Sequence, residues 1–180
     1  MEYPWYAIVS GEQLQQGDIL REFPQPYLEL KPSHIKELRL GKHPDINIKI
    51  KTQDVIVMTQ SCDLENSKVD NIILCPIYNL AEIESELGNS KNDIRGMKEK
   101  IRTGAIHSMH MLNKSDAHEI DLQVVGFRNL FSIAKEVAAT FAKDSGDRAR
   151  LLPPYREHLS QAFARYFMRV GLPSDIGRFK

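Results

Sequence analysis

Four residues of this chain have side chains suited to nucleophilic catalysis: Cys62, Asp63, His107 and His110. Cys62 and Asp63 are adjacent in the polar stretch "SCDLENSKVDN". A thiol in such a loop can act as a nucleophile if a neighbouring base lowers its pKa, and the two histidines, in "IHSMHML", are the nearest partners by type. The alternative interpretation is structural: Cys62 is a small residue at a strand end, and the Asp63 carboxylate stabilises the loop.

Zinc offers a second chemistry for the same region, because two thiols and two imidazoles suit its tetrahedral geometry. The candidate ligands are Cys62, Cys75, His107 and His110. Neither cysteine belongs to a C-x-x-C pair, and a strand through "HSMH" would place its two imidazoles on opposite faces. Cys75 precedes Pro76 in an apolar run, which is typical of a buried thiol, whereas Cys62 should lie nearer to solvent. We therefore predict neither a metal site nor a cofactor.

Basic residues form a third group of candidates. Arg165 and Arg169 are four residues apart on a predicted helix and share a face, while Arg156 lies near its start. Such a row could contact phosphates or an acidic partner, or could simply face solvent opposite the apolar side. The predicted binding residues are Lys49, Lys51, Arg128, Arg156, Arg165 and Arg169. Because no Gly-rich phosphate loop, G-x-S-x-G or H-E-x-x-H motif is present, the sequence predicts no particular reaction.

Composition restricts the class of protein. The chain has 180 residues and a formal net charge of zero, which indicates one domain and no overall attraction to nucleic acid. No apolar run approaches the ~20 residues that span a bilayer. The start, "MEYPWYAIVS", lacks the basic and apolar regions of a signal peptide, and two cysteines fit reduced thiols. We expect a soluble, cytoplasmic protein without a membrane partner.

The elements that would position these residues begin with two apolar runs. "VIVM" at 55–58 and "IIL" at 72–74 are too apolar for exposed edges, so we predict neighbouring central strands of an antiparallel sheet. Ile46, Ile48 and Ile50 alternate with polar residues, which is typical of a half-buried strand. Residues 28–47 and 61–71 are predicted to be an exposed connection and a protruding loop.

Helices follow in the second half of the chain. We predict one or two amphipathic helices in the insert at about 81–105, a helix over 134–144, a connection at 146–152 and a long helix after it. The last helix should end at Gly171 and Pro173, and the residues of its apolar face are Leu159, Phe163, Tyr166, Phe167 and Val170.

This order predicts an α+β fold in a single domain, 1–180. Strands at about 5–80 and 106–133 would form a small curled antiparallel β-barrel, with C-terminal helices at about 134–171.

Several of these strings resemble the MazF/PemK-type toxin family, whose fold is an SH3-like barrel. They are "GDIL", "VIVMTQ" and "IILCPIY", and "VVGFRNLFSI" before a helix is similar to the family's closing strand and C-terminal helix. The similarity covers roughly residues 17–142. It implies an SH3-like barrel in a bacterial toxin–antitoxin or phage-defence setting, and the family's activity is that of an endoribonuclease.

The chain departs from the family at the positions that support RNA cleavage. The family's arginine precedes the strand that corresponds to "VIVM", where this chain has "KTQDV", and the family's hydroxyl residue corresponds to Tyr78 or Asn79. Lys49 and Lys51 could contact phosphate but replace a planar guanidinium poorly. We therefore predict a noncatalytic binding module for a protein or nucleic-acid partner, with a homodimer as a further arrangement.

The alternative prediction is a diverged endoribonuclease in which another arginine has taken over the missing role. The candidates are Arg102, Arg128 and Arg156. Their convergence with Cys62 and Asp63 in one cleft would favour the enzyme, and a scattered arrangement would favour the binding module.

Overall fold

The computed structural model describes residues 3–87 and 91–168, and over these ranges the fold is α+β. Its elements, in chain order, are β1 (Tyr6–Val9), β2 (Ile19–Leu28), α1 (Pro32–Arg39), β3 (Ile48–Val57), α2 (Ser61–Glu65), β4 (Asn71–Asn79), α3 (Leu80–Leu87), α4 (Lys91–Arg102), β5 (Met109–Leu112), a 3-10 turn (Asp116–His118), β6 (Gln123–Gly126), β7 (Phe131–Ala134), α5 (Lys135–Ser145), β8 (Arg148–Leu151) and α6 (Tyr155–Phe167). None of the helices in these ranges is long and apolar enough to cross a membrane.

The main sheet is antiparallel, with strand order β2-β3-β4-β6-β5, and β7 also pairs with β4. Val55 and Val57 of β3 lie opposite Pro76 and Leu74 of β4, and all four are buried. This confirms the prediction that the two apolar runs are neighbouring central strands. β6 and β7 follow one edge of β4 in succession, and the interruption between them falls beside Pro76, which has no N–H to donate.

A second, two-stranded sheet joins β1 to β8, so the prediction of a connection at 146–152 is wrong. The sequence alternates Arg148 and Arg150 with the apolar residues Ala149 and Leu151, which is the period of a strand. Arg148 is buried, and its Nε donates to Asp18 Oδ2 at 2.8 Å. Arg150 Nη2 donates to the same carboxylate oxygen at 2.9 Å, so one aspartate ties β8 to the start of β2.

The core consists of three clusters that the helices complete. The first lies against α6, the second against α5, and the third against α3 and α4 of the predicted helical insert. Representative buried residues are Ile56, Val125 and Leu159 in the first, Phe23, Leu74 and Ala138 in the second, and Ile101 and Val124 in the third. The predicted insert and the helices of the C-terminal region are thus confirmed within the described ranges.

Helix α6 uses most of its predicted apolar face. Leu159 is fully buried, and the rings of Phe163 and Tyr166 lie 5.3 and 5.9 Å from that of Phe127. Phe167 is 61% exposed, so its inclusion in the buried face was wrong. Eight residues turn a helix through about 80° beyond two full turns, which carries Phe167 away from the direction of Leu159. Arg169, Val170, Gly171 and Pro173 lie outside the described residues.

Strands β2 and β3 extend beyond the main sheet as a two-stranded ribbon. β2 and β3 continue to pair from Phe23↔Gln53 to Leu28↔Ile48, beyond the last β3 residue that pairs with β4. The predicted connection at 28–47 contains α1, and the predicted loop at 61–71 begins with α2. We call residues 23–53 the arm. Ile48 and Ile50 are 68% and 66% exposed, so the half-buried strand predicted for them is wrong, because no second layer covers this ribbon.

Candidate functional site

One face of the arm is apolar and exposed. Opposite residues of an antiparallel pair point to the same side, and the register places Pro26 opposite Ile50 and Leu28 opposite Ile48. All four of these residues are exposed. The alternation that normally directs a strand's apolar side into a core therefore directs it to solvent here.

Helix α1 extends this exposed surface. None of its residues is buried, and Ile35 and Leu38 are both exposed. Over the described residues, eight of the fourteen exposed large apolar side chains lie between positions 27 and 50. Apolar side chains concentrated in this way make the arm a candidate interaction surface.

The arm is also more basic than the rest of the chain. Positions 27–51 contain six Lys or Arg and three Asp or Glu, so the remainder carries three more negative than positive charges. The Lys49 ammonium pairs with Glu29, and hydrogen bonding to that carboxylate raises the pKa of Lys49. Lys51 is exposed on the same strand. The arm therefore carries a local excess of positive charge on a chain whose formal net charge is zero.

A polar cleft opens at the base of the arm, where β3 and β4 separate beyond the Val55↔Pro76 pair. It has a volume of about 570 Å³. A register shift between Leu20 and Phe23 bulges β2 and directs Arg21 and Glu22 to this cleft. Arg21 donates to the Asp54 carboxylate, which also accepts the Glu22 backbone N–H at 2.9 Å.

The opposite wall of the cleft comes from β4 and β6. The Tyr78 ring lies so close to Gly126 that a Cβ there would approach Tyr78 Cε2 to 2.7 Å, so glycine makes room for the ring. Tyr78 Oη accepts a hydrogen bond from Asn129 Nδ2 at 3.2 Å. Gln123, at the start of β6, also lines the cleft, and its buried Oε1 accepts no hydrogen bond from the described protein groups.

The predicted Cys–His constellation does not form in the described structure. Cys62 is exposed on α2, and its polar contacts are Gln60 Oε1 at 3.7 Å and Asp63 Oδ1 at 3.8 Å. His107 is exposed in the turn before β5. His110 lies on β5, where burial and then the charge of His158 lower its pKa to about 4.

The thiols are arranged as predicted, with Cys62 exposed and Cys75 buried. Burial raises the pKa of Cys75 to about 12, which keeps this thiol protonated. Within the described ranges, the structure brings together no group of three or more His, Cys, Asp or Glu side chains that could hold a metal ion. The four candidate zinc ligands therefore do not form a site.

The candidate arginines are scattered. Arg102 pairs with Glu99 on α4, Arg156 pairs with Glu157 at the start of α6, and Arg128 is exposed after β6. None of these three lines the cleft at the base of the arm or the cavity that contains Asp63. Arg165 is exposed on α6, which fits either a partner contact or a solvated face.

Sequence reasoning missed two residues of the cleft, Arg21 and Gln123. Arg21 follows "GDIL" directly, and Gln123 is the polar residue at the head of the apolar string "QVVG". A charged or amide residue at the end of an apolar strand was the available signal. It could not show that the two ends meet.

In comparisons with known proteins, no family model, curated protein or solved structure matches the chain.

Proposed function

We propose that this protein is a noncatalytic binding module that engages an acidic protein partner through the arm. The observation that carries this proposal is the exposed apolar face formed by Pro26, Leu28, Ile48 and Ile50, on an arm with six Lys or Arg and three Asp or Glu. A partner that combines apolar side chains with carboxylates would match both properties of this surface.

The apolar face favours protein over nucleic acid. Nucleic-acid affinity comes mainly from phosphate contacts, which exposed isoleucines cannot make. Full burial of an aliphatic side chain contributes about 1.5–3 kcal/mol, so covering the exposed two-thirds of Ile48 and of Ile50 would contribute about 1–2 kcal/mol each. A protein partner with apolar side chains would gain this free energy by covering the two isoleucines.

The finer fold assignment is part of the proposal. An Asp18↔Arg150 bridge links β2 to the β1–β8 sheet, so the two sheets can be read as one curled surface of the SH3-like kind. The resemblance to MazF/PemK-type toxins then suggests a cytoplasmic toxin–antitoxin or phage-defence setting. The scattered arginines and the separated Cys62 and His110 support binding rather than catalysis.

The test compares two exposed apolar surfaces. Partners recovered with the tagged protein from its native cells would be identified, purified and titrated against the Ile48→Ser/Ile50→Ser variant and against Val137→Ser. Val137 is exposed on α5, outside the arm, and serves as the matched control. We expect the arm variant to lose at least about tenfold in affinity, equivalent to ~1.4 kcal/mol, with an unchanged melting temperature. Val137→Ser should bind like wild type.

Other occupants of the arm give different results. Sedimentation of the protein alone would detect a homodimer, which should become monomeric in the arm variant. Mobility-shift assays with RNA and duplex DNA would detect a nucleic-acid partner, whose binding should depend on Lys51 rather than on Ile48 and Ile50. Equal affinity of wild type and the arm variant for every identified partner would refute the arm as the binding surface.

A second candidate function is the diverged endoribonuclease. In this candidate Arg21 replaces the family's arginine that supports RNA cleavage, in place of the arginines predicted from the sequence, which were Arg102, Arg128 and Arg156. Arg21 shares a cleft with Lys51 and Tyr78, at the positions where the resemblance places the family's arginine and hydroxyl. Incubation with a mixed-sequence RNA tests this candidate. Cleavage that disappears in Arg21→Ala but persists in Arg128→Ala would support the enzyme.

A further inference from the structure

Gln123 occupies an unusual position for an amide side chain. The register pairs it with Asn79 and pairs Ile77 with Val125, so the Gln123 side chain shares a face with these buried apolar residues. It is only 5% exposed, and Oε1 accepts no hydrogen bond from the described protein groups. A buried oxygen without a donor destabilises a fold, so its presence in a native core calls for an explanation. Gln123 lines the cleft at the base of the arm, so rotation of its amide about χ3 would turn Oε1 toward a ligand that supplies the donor.

The charges of this cleft identify the kind of donor. Asp54 already binds the Arg21 guanidinium and the Glu22 backbone N–H, which leaves that pair electrically balanced. The other charged lining residues are Glu22, Glu82 and Lys51, and none of them has an ion-pair partner within the described part of the chain. Two carboxylates against one ammonium favour a cation over an anion.

We propose that this cleft binds a ligand with a guanidinium group, such as the side chain of an arginine, which donates to Gln123 Oε1 and to the carboxylates of Glu82 and Glu22. A guanidinium suits the site because its planar set of five N–H donors can serve an amide oxygen and a carboxylate at once. The Tyr78 ring, which also lines the cleft, offers an aromatic surface for stacking against the cation.

The size of the cleft fits one side chain or a small molecule. Its volume of about 570 Å³ falls within the range of small-molecule pockets, roughly 300–1,000 Å³. Gly126 helps to shape the cleft, because a side chain at this position would displace the Tyr78 ring. The proposed ligand group is distinct from the acidic partner of the arm, so the two proposals can fail separately.

The experiment is an NMR titration of the full chain with N-acetyl-L-arginine amide. N-acetyl-L-citrulline amide is the matched neutral probe, since it has the same length but no charge, and inorganic phosphate is the anionic probe. We expect the arginine probe to shift the side-chain amide resonances of Gln123 and to bind at least about fivefold more tightly than the citrulline probe. Phosphate should not shift them.

Variants then test the assigned acceptors. Gln123→Met keeps the side-chain length but removes the acceptor, so affinity for the arginine probe should fall at least about fivefold while the melting temperature rises. Glu82→Gln, on an exposed side chain, should weaken binding to a similar extent without affecting folding. The control is Glu136→Gln, on α5: Glu136 is also exposed but does not line the cleft, so this variant should bind the probe like wild type.

Three results would overturn the proposal: no shift with the arginine probe, tighter binding of phosphate, or unchanged affinity in Glu82→Gln. If Gln123→Met does not fold, Glu82→Gln still decides. The Ile48→Ser/Ile50→Ser variant should retain wild-type affinity for the arginine probe, which separates this site from the arm.

Discussion

Replacement of Asp18 by asparagine should destabilise the protein more than any other single removal of a charge that we consider. Asp18 is fully buried, and its carboxylate accepts from Arg148 at 2.8 Å, from Arg150 at 2.9 Å and from the Gln15 backbone N–H at 3.2 Å. The Arg148 side chain is itself 3% exposed. Asparagine has nearly the same shape but no charge, so both guanidiniums would stay in place without their counter-ion.

The magnitude follows from the burial of the partners. Removing one member of a buried ion pair costs about 3–5 kcal/mol, because the remaining charge is left uncompensated. In a domain of this size each kcal/mol lowers the melting temperature by roughly 2–4 °C, so Asp18→Asn should melt roughly 6–20 °C below wild type. Urea denaturation should show a lower midpoint with an unchanged slope.

A matched control comes from an exposed pair. Asp116 binds Lys114 at 3.0 Å, and both side chains are mostly exposed, so Asp116→Asn should change stability by less than about 1 kcal/mol. If Asp18→Asn melts within about 2 °C of wild type, the carboxylate does not hold the two sheets together. The described link between β8 and β2 would then not depend on charge.

Three further predictions concern single side chains. Burial lowers the pKa of His110 to about 4, whereas the unfolded chain titrates near 6.5. The unfolded state therefore takes up the proton first, and His110 should lower stability by up to about 3 kcal/mol between pH 6.5 and 4, so His110→Gln should reduce the pH dependence of thermal melts over this range. Phe163→Ala should cost about 3 kcal/mol in urea denaturation, whereas Phe167→Ala should cost less than about 1 kcal/mol, because only Phe163 reaches the Phe127 ring. An alkylating reagent followed by peptide mass spectrometry should modify Cys62 rapidly and Cys75 only after denaturation, and equal rates in the native protein would contradict the burial of Cys75.

The sequence predicted secondary structure best where an apolar pattern is compatible with few arrangements. Unbroken apolar runs such as "VIVM" must be covered on both faces, and their short length and β-branched residues favour a central strand over a buried helix. Helix α6 was equally predictable up to Tyr166, because a helical apolar stripe must pack on something. Alternating isoleucines are different, since period two shows that one side of a strand is apolar but not what covers it.

Long-range electrostatics explains the other errors. The segment 146–152 was predicted to be a connection because its own residues do not show that Arg148 and Arg150 are neutralised by a distant carboxylate. Their partner Asp18 lies 130 residues earlier in the chain, and only the paired sheets bring the charges together. Gln123 was missed for a related reason, as its significance lies in the lack of a donor around Oε1, which only the surrounding strands reveal.

The prolines of β2 affect which part of the arm the proposed partner would contact. Proline within a ladder is tolerated where its nitrogen faces away from the paired strand, so Pro24 and Pro26 deprive the outer edge of β2 of two donors. Natural proteins block exposed edges in this way to prevent strands from adding to a sheet. We therefore expect the partner to bind the apolar face of the arm and not its edge. The Pro24→Val/Pro26→Val variant restores both donors, and it should self-associate in sedimentation velocity runs while wild type at the same concentration does not. If both proteins sediment alike, the prolines do not protect the edge, and strand addition becomes the better description of how the arm is recognised.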